Sequence, residues 1–301
     1  MQTPVFTVVI PTYNREKLLK AALQSVINQT FPNWEAIVVD NFSTDDTDSM
    51  VNAFNDVRIK IVKVKFLGSV AASRNLAVNL ARGKWIAFLD SDDFWDCGKL
   101  QTVNKSLDDS SDLLYHYVEI ISEDLQKIRV HKSRRLRTPI YKDLLLGGNP
   151  LVTSSVVMRR NLYLDIGGMC EEPKLLGMED YEMWLRVART SERFTLIPKQ
   201  LGSYRIHADS LSKKNNYVRL FTLFENHISS LAPNERYRLQ SLYLYGETRR
   251  LFKEGHIFKG MRQLIFVIRH GKLEYILKSL TLFLLLPLMS LKVLIYKLFG
   301  K

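Results

Sequence analysis

Between Phe6 and Leu89 the chain alternates two apolar periods, and few architectures satisfy that alternation. Phe6–Ile10 is a short apolar run, Lys17–Asn28 places Leu18, Leu19, Ala22, Leu23 and Val26 at helical spacing, and Trp34–Val39 is again short and β-rich. Together they predict a βαβ unit. Ile59–Val64 predicts a further strand, Val70–Ala81 an amphipathic helix with Gly83 as its C-cap, and Trp85–Leu89 another buried strand. Strands apolar on both faces and separated by helices call for an α/β, Rossmann-like fold: a mostly parallel sheet covered on both sides.

After Leu100 the pattern is mixed. Residues 112–131 read as one or two strands, Lys132–Arg137 as a basic loop, and Ile140–Leu146 as a short helix ended by Gly147-Gly148. A strand over Val152–Met158, a helix over Asn161–Ile166, an amphipathic helix over 179–190, and strands Phe194–Ile197 and Leu201–Tyr204 complete the sheet. Residues 1–212 form one predicted domain, and 213–301 a helical, basic extension. Of the net charge of +12, nearly all lies in that extension, because residues 211–301 carry 16 Lys/Arg against 5 Asp/Glu. Cys97 and Cys170 lack metal-ligand or redox spacing and read as reduced thiols. The start has no basic n-region or signal-length apolar segment, so a cytoplasmic location is expected.

Ligands of open α/β sheets bind beyond the carboxyl ends of the strands. Asp40 follows Ala36-Ile37-Val38-Val39, and Asp90-Ser91-Asp92-Asp93 follows Trp85–Leu89, so both acidic groups are expected to emerge at equivalent ends of neighbouring strands. Three aspartates within four residues repel one another, and a hard divalent cation relieves that repulsion. An Asp-rich turn capping the next helix fits the same tetrapeptide.

The order of motifs goes further. Val8-Val9-Ile10-Pro11-Thr12-Tyr13-Asn14-Arg15, Val38-Val39-Asp40-Asn41-Phe42-Ser43, Arg74-Asn75, Leu89-Asp90-Ser91-Asp92-Asp93, Gly167-Gly168, Met178-Glu179-Asp180-Tyr181 and Tyr204-Arg205-Ile206-His207 occur in sequence. Over residues 5 to 212 the chain resembles a family 2 glycosyltransferase of the GT-A type. That resemblance implies a nucleoside-diphosphate sugar donor, UDP-linked by expectation, and a glycan or lipid-linked acceptor. It implies Pro11 and Tyr13 in the nucleobase pocket, Asp40 accepting from the base, Asp90 on the ribose with Ser91 in the same donor loop, and Asp92 on a Mn²⁺ or Mg²⁺ ion. His207 is similar to the family's second metal ligand, and Asp180 to its catalytic base, which makes the reaction a single inverting displacement. Arg74 is placed near the diphosphate.

Departures are local. Asn41-Phe42 stands where the family commonly has Asp-Gly, Cys97-Gly98 where a proline often follows the metal motif, and Met169-Cys170-Glu171 where Phe-Asp-Glu is common. No Gln-x-x-Arg-Trp follows Asp180, which points to one sugar per encounter rather than chain extension. Nucleotidyl transfer is the competing enzyme class, but it calls for a glycine-rich basic loop after the first strand, and Pro11–Arg15 is not one. A membrane-attached scaffold that binds nucleotide sugars without turnover is the non-enzymatic alternative.

Residues 280–291 are almost wholly apolar and are flanked by Lys278, Lys292, Lys297 and Lys301. The run is short for a span and carries Pro287, so an interfacial helix over about 275–301 is expected, its lysines on anionic lipid at the inner face of the cell membrane. Helices packing back on the catalytic domain are the alternative. Nucleic acid is a poor partner, since it has no use for a run of leucines beside the charges.

Overall fold

The computed structural model describes residues 3–65, 69–207, 217–229, 231–271, 275–282 and 284. The chain divides into two compact units, residues 1–144 with 148–214, and residues 145–147 with 215–301. In the first, strands β1 (Phe6–Thr12), β2 (Trp34–Asp40), β3 (Ile59–Lys63) and β4 (Trp85–Phe88) run parallel in the order β3-β2-β1-β4. Every residue of β1 and β2 is buried, which is why those segments are apolar without alternation. Helix α1 (Glu16–Ile27) buries Leu19, Ala22, Leu23 and Val26. Helix α2 (Thr47–Ala53) buries only Thr47, Met50 and Val51, too few to leave a periodic signature, and α3 (Val70–Leu80) precedes β4.

Beyond β4 come β5 (Phe94–Trp95), α4 (Lys99–Lys105), β6 (Leu113–Ile121), β7 (Lys127–His131), α5 (Ile140–Gly147), β8 (Val157–Arg159), α6 (Arg160–Asp165), α7 (Glu179–Thr190) and β9 (Phe194–Arg205). The sheet continues β4-β8-β6-β9-β5, with β7 paired to β6. Strand β8 is antiparallel to both neighbours, and β9 is parallel to β6. The result is a mixed, mostly parallel GT-A-type α/β sheet.

Four local expectations are corrected. The two final strands are one, β9, whose pairing with β6 skips from Ile197 to Gln200, because Pro198 has no N–H for the ladder and Pro198-Lys199 bulge outward. The strand expected over Val152–Met158 is a 3₁₀ turn at Thr153–Ser155 followed by three residues of β8, since hydroxyl side chains compete for backbone partners. Strands β2 and β4 are not neighbours; they flank β1, and their carboxyl ends still share one edge. Gly83 is not a cap either, because α3 ends at Leu80 with Ala81 extended.

Gly83 is needed for close approach. Its N–H donates to Thr7 Oγ1 at 2.9 Å, and a Cβ there would lie 2.5 Å from the Thr7 backbone nitrogen. Gly83→Ala is therefore expected to destabilise the fold by about 1–3 kcal/mol, read as a lowered melting temperature. An unchanged midpoint would show that the β1 backbone yields freely.

The second unit contains α8 (Tyr217–Ile228), α9 (Pro233–Lys253) and α10 (Ile257–His270). Phe252 of α9 packs with Leu264 of α10 over Gly260, where a Cβ would sit 2.4 Å from the Phe252 ring. The Tyr237 ring stacks on His270 with centroids 4.8 Å apart. Among the described residues no helix is long and apolar enough to cross a membrane. The expected interfacial segment at 275–301 lies mostly outside the described residues; of those described in it, Leu277, Leu280 and Leu284 are exposed.

Candidate active site

The site lies where β1, β2 and β4 end. Thr12 and Asp40 are level in the β1–β2 register, and the loops beyond them are laced together. Asn41 N–H donates to Thr12 O at 2.9 Å, Asn14 N–H to Ser43 Oγ at 2.8 Å, and Thr44 N–H to Asn14 Oδ1 at 2.8 Å. Asp40 is fully buried, and its Oδ1 accepts from both the backbone and the hydroxyl of Ser43. Its Oδ2 is buried with no hydrogen-bond partner among the described residues, the Lys63 ammonium standing 3.9 Å away. One oxygen shapes the turn, then, and the other is buried facing Lys63. Pro11 is buried in β1, whereas Tyr13 is exposed.

Strand β4 delivers the acidic loop. Oxygens of Asp90, Asp92 and Asp93 all lie within 4.8 Å of one another, yet each carboxylate has a different environment. Asp90 Oδ1 receives Nη2 of Arg74 at 2.5 Å. Asp92 Oδ2 faces Arg15 Nη1 at 2.6 Å and His207 Nε2 at 2.8 Å. Asp93 is buried with both oxygens used, Oδ1 accepting from Arg205 N–H at 2.9 Å and Oδ2 from Ser154 Oγ at 2.6 Å. Ser91 is buried between them. Burial, then the charges of Asp92 and Asp90, push the Asp93 carboxyl well above the usual carboxylate range. Asp93 thus supports the loop, while Asp92 presents its charge to the cleft.

Arg74 sits beneath the cluster, 4% exposed, rather than open to a diphosphate. Its Nη1 meets Glu179 Oε1 at 3.2 Å, so one guanidinium bridges the acidic loop and the first turn of α7. Burial opposes the Arg74 charge, but the carboxylates of Asp90 and Glu179 outweigh it and hold the group protonated.

Asp180 lies in that same first turn, with Met178 as the N-cap, so it does not cap the helix as an N-terminal aspartate usually does. Its Oδ2 accepts from Thr153 Oγ1 at 2.8 Å. Burial first, and then the neighbouring Glu179 charge, push its carboxyl up to about 6, with Thr153 and Arg74 pulling the other way. The Thr153–Ser155 turn is itself fixed to the acidic loop. Ser154 Oγ accepts from Asp90 N–H at 3.0 Å, and Ser154 O accepts from Trp95 Nε1 at 2.8 Å and from the buried Lys99 Nζ at 2.9 Å. A short relay of contacts therefore runs from Asp90 and Asp93 through Ser154 and Thr153 to Asp180.

The arrangement joins Asp90, Asp92, His207, Arg74 and Asp180, and Arg15 connects that group to the Tyr13 loop. Asp90, Asp92 and Asp93 each bring an oxygen within 4.8 Å of the others and could hold a divalent cation, with His207 Nε2 2.8 Å from Asp92 Oδ2. Arg15, Thr153, Ser154 and Glu179 were not legible as a group, because each meets its partner across 27 or more residues. The charge on Arg15, directly after the Tyr13-Asn14 loop, was the available signal.

A family model described as "Glycosyl transferase family 2" matches residues 7–167. The chain is 37% identical over 125 residues to the Escherichia coli UDP-Glc:alpha-D-GlcNAc-diphosphoundecaprenol beta-1,3-glucosyltransferase WfgD, a match covering 41% of this chain and 49% of the relative's length. Among solved structures, S. aureus TarS 1-349 in complex with UDP-GlcNAc superposes with a TM-score of 0.66 at 20% identity, covering 88% of this chain and 79% of that one. The Pyrobaculum calidifontis mannosyltransferase PcManGT in complex with GDP-Man and Mn²⁺ superposes with a TM-score of 0.61 at 18% identity, covering 100% of this chain and 88% of that one. These two likenesses concern the fold; the family match spans more than half the sequence and includes both acidic strand ends. By that match the protein belongs to glycosyl transferase family 2, the glycosyltransferases that use nucleotide sugars.

Proposed function

We propose that this chain transfers a single sugar from a UDP-sugar to a hydroxyl of a lipid-linked glycan, with inversion, in the assembly of a cell-surface polysaccharide. The observation that carries this reading is Asp180, a carboxyl pushed up to about 6 and tied through the Thr153–Ser155 turn to the acidic loop. A base poised near neutrality suits removal of a proton from an alcohol. The acceptor oxygen attacks the anomeric carbon as its proton passes to Asp180, the carbon–oxygen bond to the diphosphate breaks, and the nucleoside diphosphate departs. One displacement inverts that centre.

Asp92 and His207 would hold Mn²⁺ or Mg²⁺, which when bound supplies Lewis-acid relief of charge on the departing phosphate. Asp90, with Ser91 beside it, is assigned to the ribose, Asp40 to the base, and Pro11 and Tyr13 to the nucleobase pocket. Arg74 positions Asp90 and Glu179 from below. We take residues 1–212 as the catalytic domain and 213–301 as a membrane-surface region at the inner face of the cell membrane. The exposed Leu277, Leu280 and Leu284 beside the basic surplus of the extension support that assignment.

The test is a transfer assay with UDP-glucose, Mn²⁺ and a short-chain diphospholipid-linked sugar, with the product anomer read by NMR. An α-linked donor is expected to give a β-linked product. Chelation with EDTA is expected to abolish transfer, and added Mn²⁺ to restore it. Absence of transfer from UDP-, GDP- and TDP-sugars alike, with Mn²⁺ present, would refute the assignment.

A further inference from the structure

Helix α10 contains no acidic residue, and its outer face mixes arginine with apolar side chains. Gly260, Leu264 and Val267 are buried. Opposite them, Phe258, Arg262, Ile265 and Arg269 recur at intervals of four, three and four residues, which sets them on one stripe of the helix. All four are exposed, Phe258 at 87%. Lys259 and His270 extend the exposed surface along one flank, where the Tyr237 ring stacks on His270 and meets Phe266 edge-on with centroids 6.2 Å apart. The carboxylates nearest in sequence are engaged elsewhere: Glu247 and Glu254 pair with Arg250 at 2.6 and 2.5 Å. Among the described residues neither Arg262 nor Arg269 has an ion-pair partner. Phe252 and Leu264 hold α10 against α9 by its other face, so the stripe is presented without rearrangement.

We propose that this stripe is a lipid-contact surface: Phe258 and Ile265 enter the headgroup boundary of an anionic bilayer, while Arg262 and Arg269, with Lys259 beside them, meet the lipid phosphates. This rests on the reading of residues 213–301 as a membrane-surface region and names the face that makes the contact. Charge decides among the possible occupants. A second copy docking through the same face would set basic groups against basic groups across a twofold axis, with no carboxylate to separate them. Nucleic acid would take up the arginines and leave Phe258 and Ile265 without a partner. An anionic bilayer accepts both kinds of side chain, because basic groups stay at its surface and apolar ones pass beneath.

Flotation of the full-length protein with vesicles of phosphatidylcholine alone, and of phosphatidylcholine mixed equally with phosphatidylglycerol, tests the proposal. The parent is expected to float with the mixture and far less with phosphatidylcholine. Phe258→Ser is expected to weaken partitioning into the mixture by about tenfold, the effect of withdrawing one large apolar side chain, and Phe258→Trp to retain it. Arg262→Gln with Arg269→Gln is expected to weaken it by about 30-fold, or about fivefold for each basic residue. These side chains are exposed, so the melting temperature of every variant is expected to stay parental. Parental partitioning in Phe258→Ser or in the double arginine variant would overturn the proposal and leave the membrane contact elsewhere in residues 213–301. Equal flotation of the parent with both vesicles would overturn it as well, as would a parental dimer that Phe258→Ser converts to a monomer with flotation unchanged, which would assign the face to a second copy. A parental chain that floats with neither vesicle would overturn the membrane-surface reading itself.

Discussion

Asp180→Asn is expected to lower the transfer rate by about 10²–10⁴-fold, the usual contribution of a positioned general base, with UDP affinity unchanged. Asparagine preserves the shape of the side chain and an oxygen for Thr153 Oγ1, so the Thr153–Ser155 turn should stay in place. The proton acceptor is removed, and the oxygen that accepts from Tyr181 N–H at 2.6 Å becomes an amide nitrogen. The pH profile provides an independent reading of the same residue. Because burial and the Glu179 charge push the Asp180 carboxyl up to about 6, it is protonated and inactive below that pH and ionised above it. Parental activity should therefore fall as pH drops through about 6 and level off above, whereas residual activity of the asparagine variant should lack that limb. A variant with the parental rate would show that Asp180 is not the base.

Arg74→Met is expected to cost about 3–5 kcal/mol of stability, because removing one partner of a buried charge network leaves the others uncompensated. For a domain of this size that is a fall in melting temperature on the order of 10 °C. The guanidinium separates Asp90 from Glu179, and Asp92 and Asp180 lie close by. Without it, four carboxyl groups share one region with no buried cation between them, and some must take up protons. A second change, Glu179→Gln, should recover part of the loss by removing one of the repelling charges. A parental midpoint for Arg74→Met would contradict the bridging role.

The parallel half of the sheet was plain in the sequence because β1 and β2 are buried at every position and α1 carries its four core residues at helical spacing. The later half was less legible. In β9 the exposed Pro198-Lys199 bulge divides one strand into two apparent runs, and in Thr153–Ser155 the hydroxyl residues look like strand until their partners Asp93 and Asp180 are known. Gly83 looked like a helix cap because a glycine just past a helical pattern usually is one, but here the missing Cβ admits Thr7.

The site divides along the same line. Asp40, Asp90 and Asp92 were visible because strand ends announce them, and His207 and Asp180 because of the ordered motifs around them. The bridging partners were not, since Arg15 meets Asp92 across 77 residues and Arg74 meets Glu179 across 105. Local sequence carries no record of such pairings. The substitution of Asn41-Phe42 for Asp-Gly was legible only as a departure; the structure gives Phe42 a φ of +66° and sets the Lys63 ammonium 5.5 Å from the centroid of its ring.

The most direct test of this account follows the electron paramagnetic resonance signal of Mn²⁺ during titration with the protein in the presence of UDP. The account predicts that the parental chain removes the sharp free-ion spectrum as a ternary complex forms, and that Asp92→Asn and His207→Ala each leave most of it. A parental chain that leaves the free-ion signal intact with UDP present, or variants that remove it as the parent does, would contradict a divalent cation held by Asp92 and His207.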